Sequence, residues 1–155
     1  MPITPFLWFN DNAEEAANFY VSVFKDGKIN SIARYGDAGP GPKGSVMTIA
    51  FEIQGTEFVG LNGGPHYSFN PAVSFVVKCE TKEEVDHYWD SLVEGGKPIQ
   101  CGWLVDKFGL SWQITPTILP KYLQDPDPAK AKRVMEAMMK MVKLDIPELE
   151  RAYQG

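Results

Sequence analysis

Any chemistry in this chain rests on few side chains. Only two histidines, His66 and His87, occur, and only two cysteines, Cys79 and Cys101. That scarcity excludes a histidine-rich metal site within one chain. His66, in Gly63-Gly64-Pro65-His66-Tyr67, follows a strand-like run at a glycine-permitted turn. It is a candidate to reach into a pocket and exchange a proton near neutral pH, and a surface-loop histidine fits the same residues. His87 lies between the apolar positions Val85 and Tyr88 of a helical run and reads as solvent-facing. Cys101, beside Gly102 and Trp103, is the candidate nucleophile. A thiol becomes reactive only next to a base or positive charge, and no such residue adjoins it, so a buried structural thiol is the alternative.

Gly39-Pro40-Gly41-Pro42-Lys43-Gly44 has the glycine spacing of a dinucleotide-binding turn. That turn works by following a strand, opening a helix and offering backbone N–H groups to a pyrophosphate. Two of these residues are prolines without an N–H, and a strand-like run follows, so the stretch reads as a loop over a pocket mouth. Arg34, at the end of the preceding strand, is either an anion clamp or an exposed charge. Trp8, Trp103 and Trp112 sit on strand-like segments, where each suits an aromatic pocket or core packing.

Composition bounds the setting for these residues. A chain of 155 residues buries roughly two thirds of its unfolded surface as a single domain. A net charge of −5 with dispersed Lys and Arg argues against a partner such as nucleic acid. No apolar run approaches a membrane span, and the start of the chain lacks a basic stretch followed by an apolar one, so a cytoplasmic protein with two free thiols is expected.

Two helices are announced by their caps. Asn12-Ala13-Glu14-Glu15 and Thr81-Lys82-Glu83-Glu84 each set a capping side chain three residues before a Glu. Ala13, Ala16, Ala17, Tyr20, Val23 and Phe24 follow helical spacing in the first, and Val85, Tyr88, Trp89, Leu92 and Val93 in the second. Sliding the sequence on itself by 69 residues aligns Phe6 to Lys28 with Phe75 to Lys97, with six identities in 23 positions. Average composition gives about one or two, so the chain carries an internal repeat. Strands are expected at Ile29 to Tyr35, Ser45 to Ile53 and Glu57 to Asn62, then at Ile99 to Val105 and Leu110 to Thr115. Gln54-Gly55 and Asp106 to Gly109 read as hairpin connections.

A tail begins at Asp125, with Asp127 as a cap and Pro128 at the first helical position. Val134, Met135, Met138, Met139, Met141 and Val142 form its apolar side, fit for packing on the body or a second subunit. Asp145-Ile146-Pro147-Glu148 starts a further short helix. The expected class is α+β: two βαβββ repeats, about 1–65 and 70–118, with a helical tail over about 125–154.

This arrangement resembles the vicinal oxygen chelate superfamily of glyoxalase I, bleomycin-resistance proteins and extradiol dioxygenases. Four stretches resemble its PhnB-like branch: Phe6-Leu7-Trp8-Phe9 leading to Ala13-Glu14-Glu15-Ala16 and Phe19-Tyr20; Leu61-Asn62-Gly63-Gly64-Pro65; Gln100 to Leu104; and Phe108 to Ile114. The resemblance implies curved, cup-like mixed sheets, a homodimer, and metal ligands in metal-using relatives at positions falling near Phe6, near Gly60 or Asn62, at Ser74 and at Gln113. None of these is His or carboxylate, so no metal and no other cofactor is expected, an atypical divalent site being the alternative. The reading that follows is a small-molecule-binding protein contacting its ligand through Trp8, Asn62, Ser74, Trp103 and Gln113. The alternative is an enzyme, either of metal-assisted isomerase, lyase or dioxygenase type, or the demethylubiquinone methyltransferase of the branch's usual label.

Overall fold

Strand, helix and three more strands recur in the same order in both halves of the computed structural model, which describes residues 3–155. The chain forms two compact units, one ending at Phe69 and one running from Asn70 to Gly155. Unit one contains β1 (Phe6–Phe9), α1 (Ala13–Val23), β2 (Lys28–Arg34), β3 (Val46–Ile53) and β4 (Thr56–Asn62). Unit two begins with β5 (Ser74–Cys79), α2 (Lys82–Val93), β6 (Lys97–Pro98), β7 (Trp103–Val105) and β8 (Ser111–Pro116). The sheets are ordered β1-β4-β3-β2 and β5-β8-β7-β6, each with one parallel pair, β1 with β4 and β5 with β8. Identical topology in the two units establishes the repeat.

Each helix covers one face of its own sheet. The alanines of α1 are fully buried beside Tyr20, whose ring stacks on Phe51. Small residues let helix and sheet approach closely: a Cβ at Gly60 would lie 3.3 Å from that of Ala13. The larger Val85, Tyr88, Trp89 and Leu92 of α2 are buried against β5, β7 and β8. Gln54 and Gly55 take φ of 50° and 74°, the pair of left-handed residues that a two-residue hairpin requires. Asp26 holds the turn by accepting from the Gln54 backbone N–H at 3.0 Å.

Three local expectations change. Thr81 caps α2 by accepting from the Glu84 N–H at 3.1 Å, but the Asn12 side chain makes no such bond. The first amide of α1, on Ala13, instead donates to Asn62 Oδ1 at 2.8 Å. Second, of the run expected as one strand over Ile99 to Val105 only Trp103–Val105 is strand, as β7, and its partner β6 precedes that run at Lys97–Pro98. Cys101 and Gly102 have φ of 60° and 84°, and two left-handed residues turn the chain back so that Lys97 pairs with Val105. Third, the 69-residue offset holds for the helices but not for the strands before them. Three residues, Asn10 to Asn12, link β1 to α1, whereas two, Glu80 and Thr81, link β5 to α2. Phe6 and Phe75 therefore lie on opposite faces of their sheets.

The tail belongs to unit two and contains α3 (Ile118–Leu123), not anticipated from the sequence, α4 (Pro128–Met139) and α5 (Ile146–Gln154). Asp127 and Asp145 cap α4 and α5 as expected, accepting from Ala129 and Glu148 amides at 2.9 and 3.1 Å. Leu119, Val134, Leu144 and Leu149 form the tail's core, with Met138 and Met141 packed on it, while Met135 and Met139 stay exposed. Cys101 and Gly102 amides donate to Met141 and Val142 carbonyls at 2.9 and 2.7 Å. Lys143 Nζ lies 2.5 Å from the Asp86 carboxylate on α2. No helix among the described residues is long and apolar enough to cross a membrane.

Candidate functional site

Strand alternation sorts the residues of unit two into two sets. Phe75, Val77, Cys79, Leu104, Trp112 and Ile114 face α2. Ser74, Val76, Trp103, Ser111 and Gln113 share the opposite face, which no helix of the unit covers as α2 covers its own. Gln113 lies beside Val76 on one side and Trp103 on the other. Its Nε2 donates to Ser74 Oγ at 2.9 Å. Ser111 pairs with Ser74 in the same ladder, is completely buried, and its Oγ has no partner among the described residues. Three of the expected contact residues, Ser74, Trp103 and Gln113, are thus neighbours on one open sheet face. Ser111 was not anticipated, although its spacing of two from Gln113 marks it as sharing that face.

A buried carboxylate fixes this hairpin from behind. Asp106, 2% exposed, accepts from the Phe108 and Leu110 amides at 2.8 and 3.0 Å and from Trp112 Nε1 at 2.8 Å. Its position at the start of a turn is the signal for an Asp folding back on its own backbone. Trp112 is thereby a core residue facing α2, not a pocket wall.

In unit one, β1 pairs Leu7 with Gly60 and Phe9 with Asn62. These residues face α1, so the inward-position reading of Gly60 or Asn62 is corrected by one residue. Val59 and Leu61, beside Phe6 and Trp8, occupy the open face. Asn62 has its carboxamide engaged on both ends: besides accepting from Ala13, it donates to the Val46 carbonyl at 3.1 Å. Trp8 stays on the open face, where its Nε1 donates to the Gly64 carbonyl at 2.9 Å and Tyr67 meets its ring edge-on. A Cβ at Gly63 would lie 2.5 Å from the Trp8 ring, which explains the glycine.

Beyond these strand ends, unit one contains a cavity of about 440 Å³. Its walls include Asn10, Asp11, Tyr35, the Pro40 to Pro42 loop, Asn62 and the Gly63 to His66 turn. The glycine-rich loop lies along this cavity, and His66 is an exposed loop residue at its wall. Tyr35 organises the walls: its hydroxyl donates to the Asn62 carbonyl at 2.6 Å, and its ring lies where a Cβ at Gly41 would come within 2.3 Å. The glycine-rich loop leads into β3, not a helix, so it lacks the geometry of a pyrophosphate cradle. Arg34 is exposed and donates to the Gly44 carbonyl at 3.2 Å within its own loop.

Both thiols are free, Cys79 buried and Cys101 half-buried in its left-handed turn. Burial first, and Glu84 second, push the Cys79 thiol up to about 12. His87 is exposed, as expected, with its ring against Tyr88.

The positions that bear metal ligands in metal-using relatives do not fit a divalent ion here. They carry an aromatic ring at Phe6, apolar side chains on β4, and a serine and an amide already bonded to each other. Among the described residues no three His, Cys, Asp or Glu side chains cluster as a metal site.

Residues 1–115 match the model of a family described as 3-demethylubiquinone-9 3-methyltransferase. A PhnB protein of Bacillus cereus is 40% identical, with a TM-score of 0.69 over 76% of this chain and all of that one. A Pseudomonas aeruginosa protein shares the fold at 21% identity, with a TM-score of 0.64 over 75% of this chain and 97% of its own. The fosfomycin resistance protein FosX of Mesorhizobium loti does so at 12% identity, with a TM-score of 0.50 over 72% of this chain and 87% of its own. No curated protein matches the chain.

Proposed function

The chain belongs to the family described as 3-demethylubiquinone-9 3-methyltransferase, and from that premise we propose that it is a small-molecule-binding protein that holds an amphipathic, partly aromatic ligand without a resident metal. The observation that carries this reading is the composition of unit two's open face. Ser74 and Gln113 set hydrogen-bonding groups beside the half-buried Trp103 and the exposed Val76, and the Ser111 hydroxyl next to Ser74 in the ladder is buried and unpartnered among the described residues. A few placed polar groups against an apolar wall orient such a ligand. Trp8 supplies the corresponding aromatic surface on unit one's open face. Asn62 contributes by holding the start of α1 and its own pocket wall in place. Binding alone needs neither a strong base nor a Lewis acid, and the donor set fits that economy. The protein acts as a homodimer in this reading, as the resemblance implies.

The test is a titration of isotopically labelled protein with 2-naphthol, a small aromatic with one hydroxyl. Saturable shifts are expected at the Ser74 and Ser111 amides, the Gln113 side-chain amide and the Trp103 indole. Their absence, or a stoichiometric transition metal bound through Ser74 and Gln113 in freshly purified protein, overturns the reading. The family's description favours a second reading, methyl transfer. Saturable calorimetric binding of S-adenosylmethionine would select it, and a silent titration would remove it.

A further inference from the structure

The two repeats provide an internal control for what the fold itself requires. Unit two builds its sheet with a two-residue β5–α2 link and a tight turn between β6 and β7. Unit one carries an extra residue in Asn10 to Asn12 and a much longer connection, Tyr35 to Ser45, between β2 and β3. Both additions, and the turn after β4, converge on the cavity of about 440 Å³. Topology does not need this added chain, because unit two reaches the same topology without it.

The walls are built and held. Gly63 and Gly64 amides donate to the Phe9 and Asn10 carbonyls at 2.9 and 3.1 Å, extending the β1–β4 pairing past the strands. The Tyr35 carbonyl accepts from the Gly44 amide at 2.7 Å, and its N–H donates to the Ser45 carbonyl at 2.9 Å. Walls ordered before a ligand arrives reduce the entropy lost on binding. Within this frame two ionisable side chains, the Asp11 carboxylate and the His66 imidazole, have no hydrogen-bond or ion-pair partner among the described residues. No Lys or Arg lines the cavity. Pro40, Pro42 and Pro65 add flat apolar surface with carbonyl acceptors and no N–H donors. The dipole of α1 is already complemented by Glu14 and Glu15 in its first turn, so Asp11 is not needed there.

From this chemistry we infer that the unit-one cavity is a binding site for a small organic cation, an ammonium or amidinium on a flat apolar body. The charged N–H group points at Asp11 and the ring lies along the proline walls and Tyr35. This inference does not rest on the reading of unit two's sheet face, and the two fail independently, because their reporter residues differ.

The experiment titrates the full-length, isotopically labelled protein with benzylamine, benzyl alcohol and benzoate. Benzylamine should produce saturable shifts at the Gly41, Gly63 and Gly64 amides, benzyl alcohol weaker ones, and benzoate none. Asp11→Asn should weaken benzylamine binding about fivefold, the scale of one partly solvated ion pair, and abolish its advantage over the alcohol. Gly41→Ala, which drives a methyl group into the Tyr35 ring, should reshape the wall and weaken all binding. Benzoate binding as well as benzylamine, unshifted glycine amides, or full benzylamine affinity in Asp11→Asn would each overturn the inference.

Discussion

Replacing Asp106 by alanine should be among the most damaging single changes in unit two. The carboxylate is 2% exposed and accepts three hydrogen bonds of 3.0 Å or less, two from backbone amides and one from the Trp112 indole. A hydrogen bond to a charged acceptor contributes about 1.5–3 kcal/mol, and donors left buried without partners cost about 1–3 kcal/mol each. The carboxylate's own desolvation cost, removed with it, offsets part of that loss. The net expectation is about 3–4 kcal/mol. Asp106→Asn keeps one acceptor oxygen but turns an amide N–H toward a donor, so about 2 kcal/mol is expected. Urea denaturation followed by tryptophan fluorescence reads the difference. With a slope of about 1–3 kcal/mol per molar, Asp106→Ala should lower the midpoint by about 1–4 M. Trp112→Phe removes the indole donor together with part of a buried ring and should cost about 2–3 kcal/mol, with Asp106→Ala adding less on that background than on the native one. A loss under about 1 kcal/mol for Asp106→Ala would refute the view that this carboxylate anchors the β7–β8 hairpin, and with it the positioning of Gln113.

Three further outcomes follow from other contacts. Asn62→Ala strands the Ala13 amide and the Val46 carbonyl and should destabilise unit one by about 1–2 kcal/mol; an unchanged urea midpoint would show that the cap is dispensable. Hydrogen bonds first from Lys143 and then from Lys82 hold the Asp86 carboxyl below the ordinary range. A group whose pKa falls on folding stabilises the fold above its unfolded value of about 3.9, and that contribution is lost as pH drops through the lower folded value. Docking of the tail should therefore weaken only below about pH 4, by less than about 1 kcal/mol because the pair is partly solvated, and Lys143→Met should flatten that acid limb in a pH series of melting curves. With Cys79 buried and its thiol pushed up to about 12, 5,5′-dithiobis(2-nitrobenzoate) at pH 8 should titrate one thiol in the native protein and two in urea, and Cys101→Ser should remove the native one.

Helices were the legible part of the sequence because their signals are local and redundant. Thr81, Asp127 and Asp145 act as caps where their side chains and spacing placed them, and the buried stripe of α1 is the one its alanines trace. The resemblance carried the fold further, to two four-stranded sheets of matching order. What stayed illegible depended on partners distant in sequence. Nothing near Asn12 reveals that the first amide of α1 is taken by Asn62, and nothing in Gln100-Cys101-Gly102 announces that tail carbonyls at Met141 and Val142 hold a turn there.

The repeat shows why strand faces are harder to read than helices. The offset of 69 holds for α1 and α2, and even a one-residue misalignment would only rotate a helix face by about 100°. A strand has a period of two, and the same misalignment exchanges its faces entirely. The identity of Phe6 with Phe75 suggested equivalent positions, yet Phe6 is 59% exposed on the open face and Phe75 meets Trp112 on the helix-covered one. Aligning Phe9 with Cys79 and Leu7 with Val77 restores the match of buried residues, and it requires one more residue between strand and helix in unit one. That residue falls in the Asn10 to Asn12 link, where Asn10 and Asp11 line the cavity. The break in the repeat and the pocket thus meet in one segment: the link whose extra residue shifts the strand register also carries the carboxylate to which the cation site is assigned.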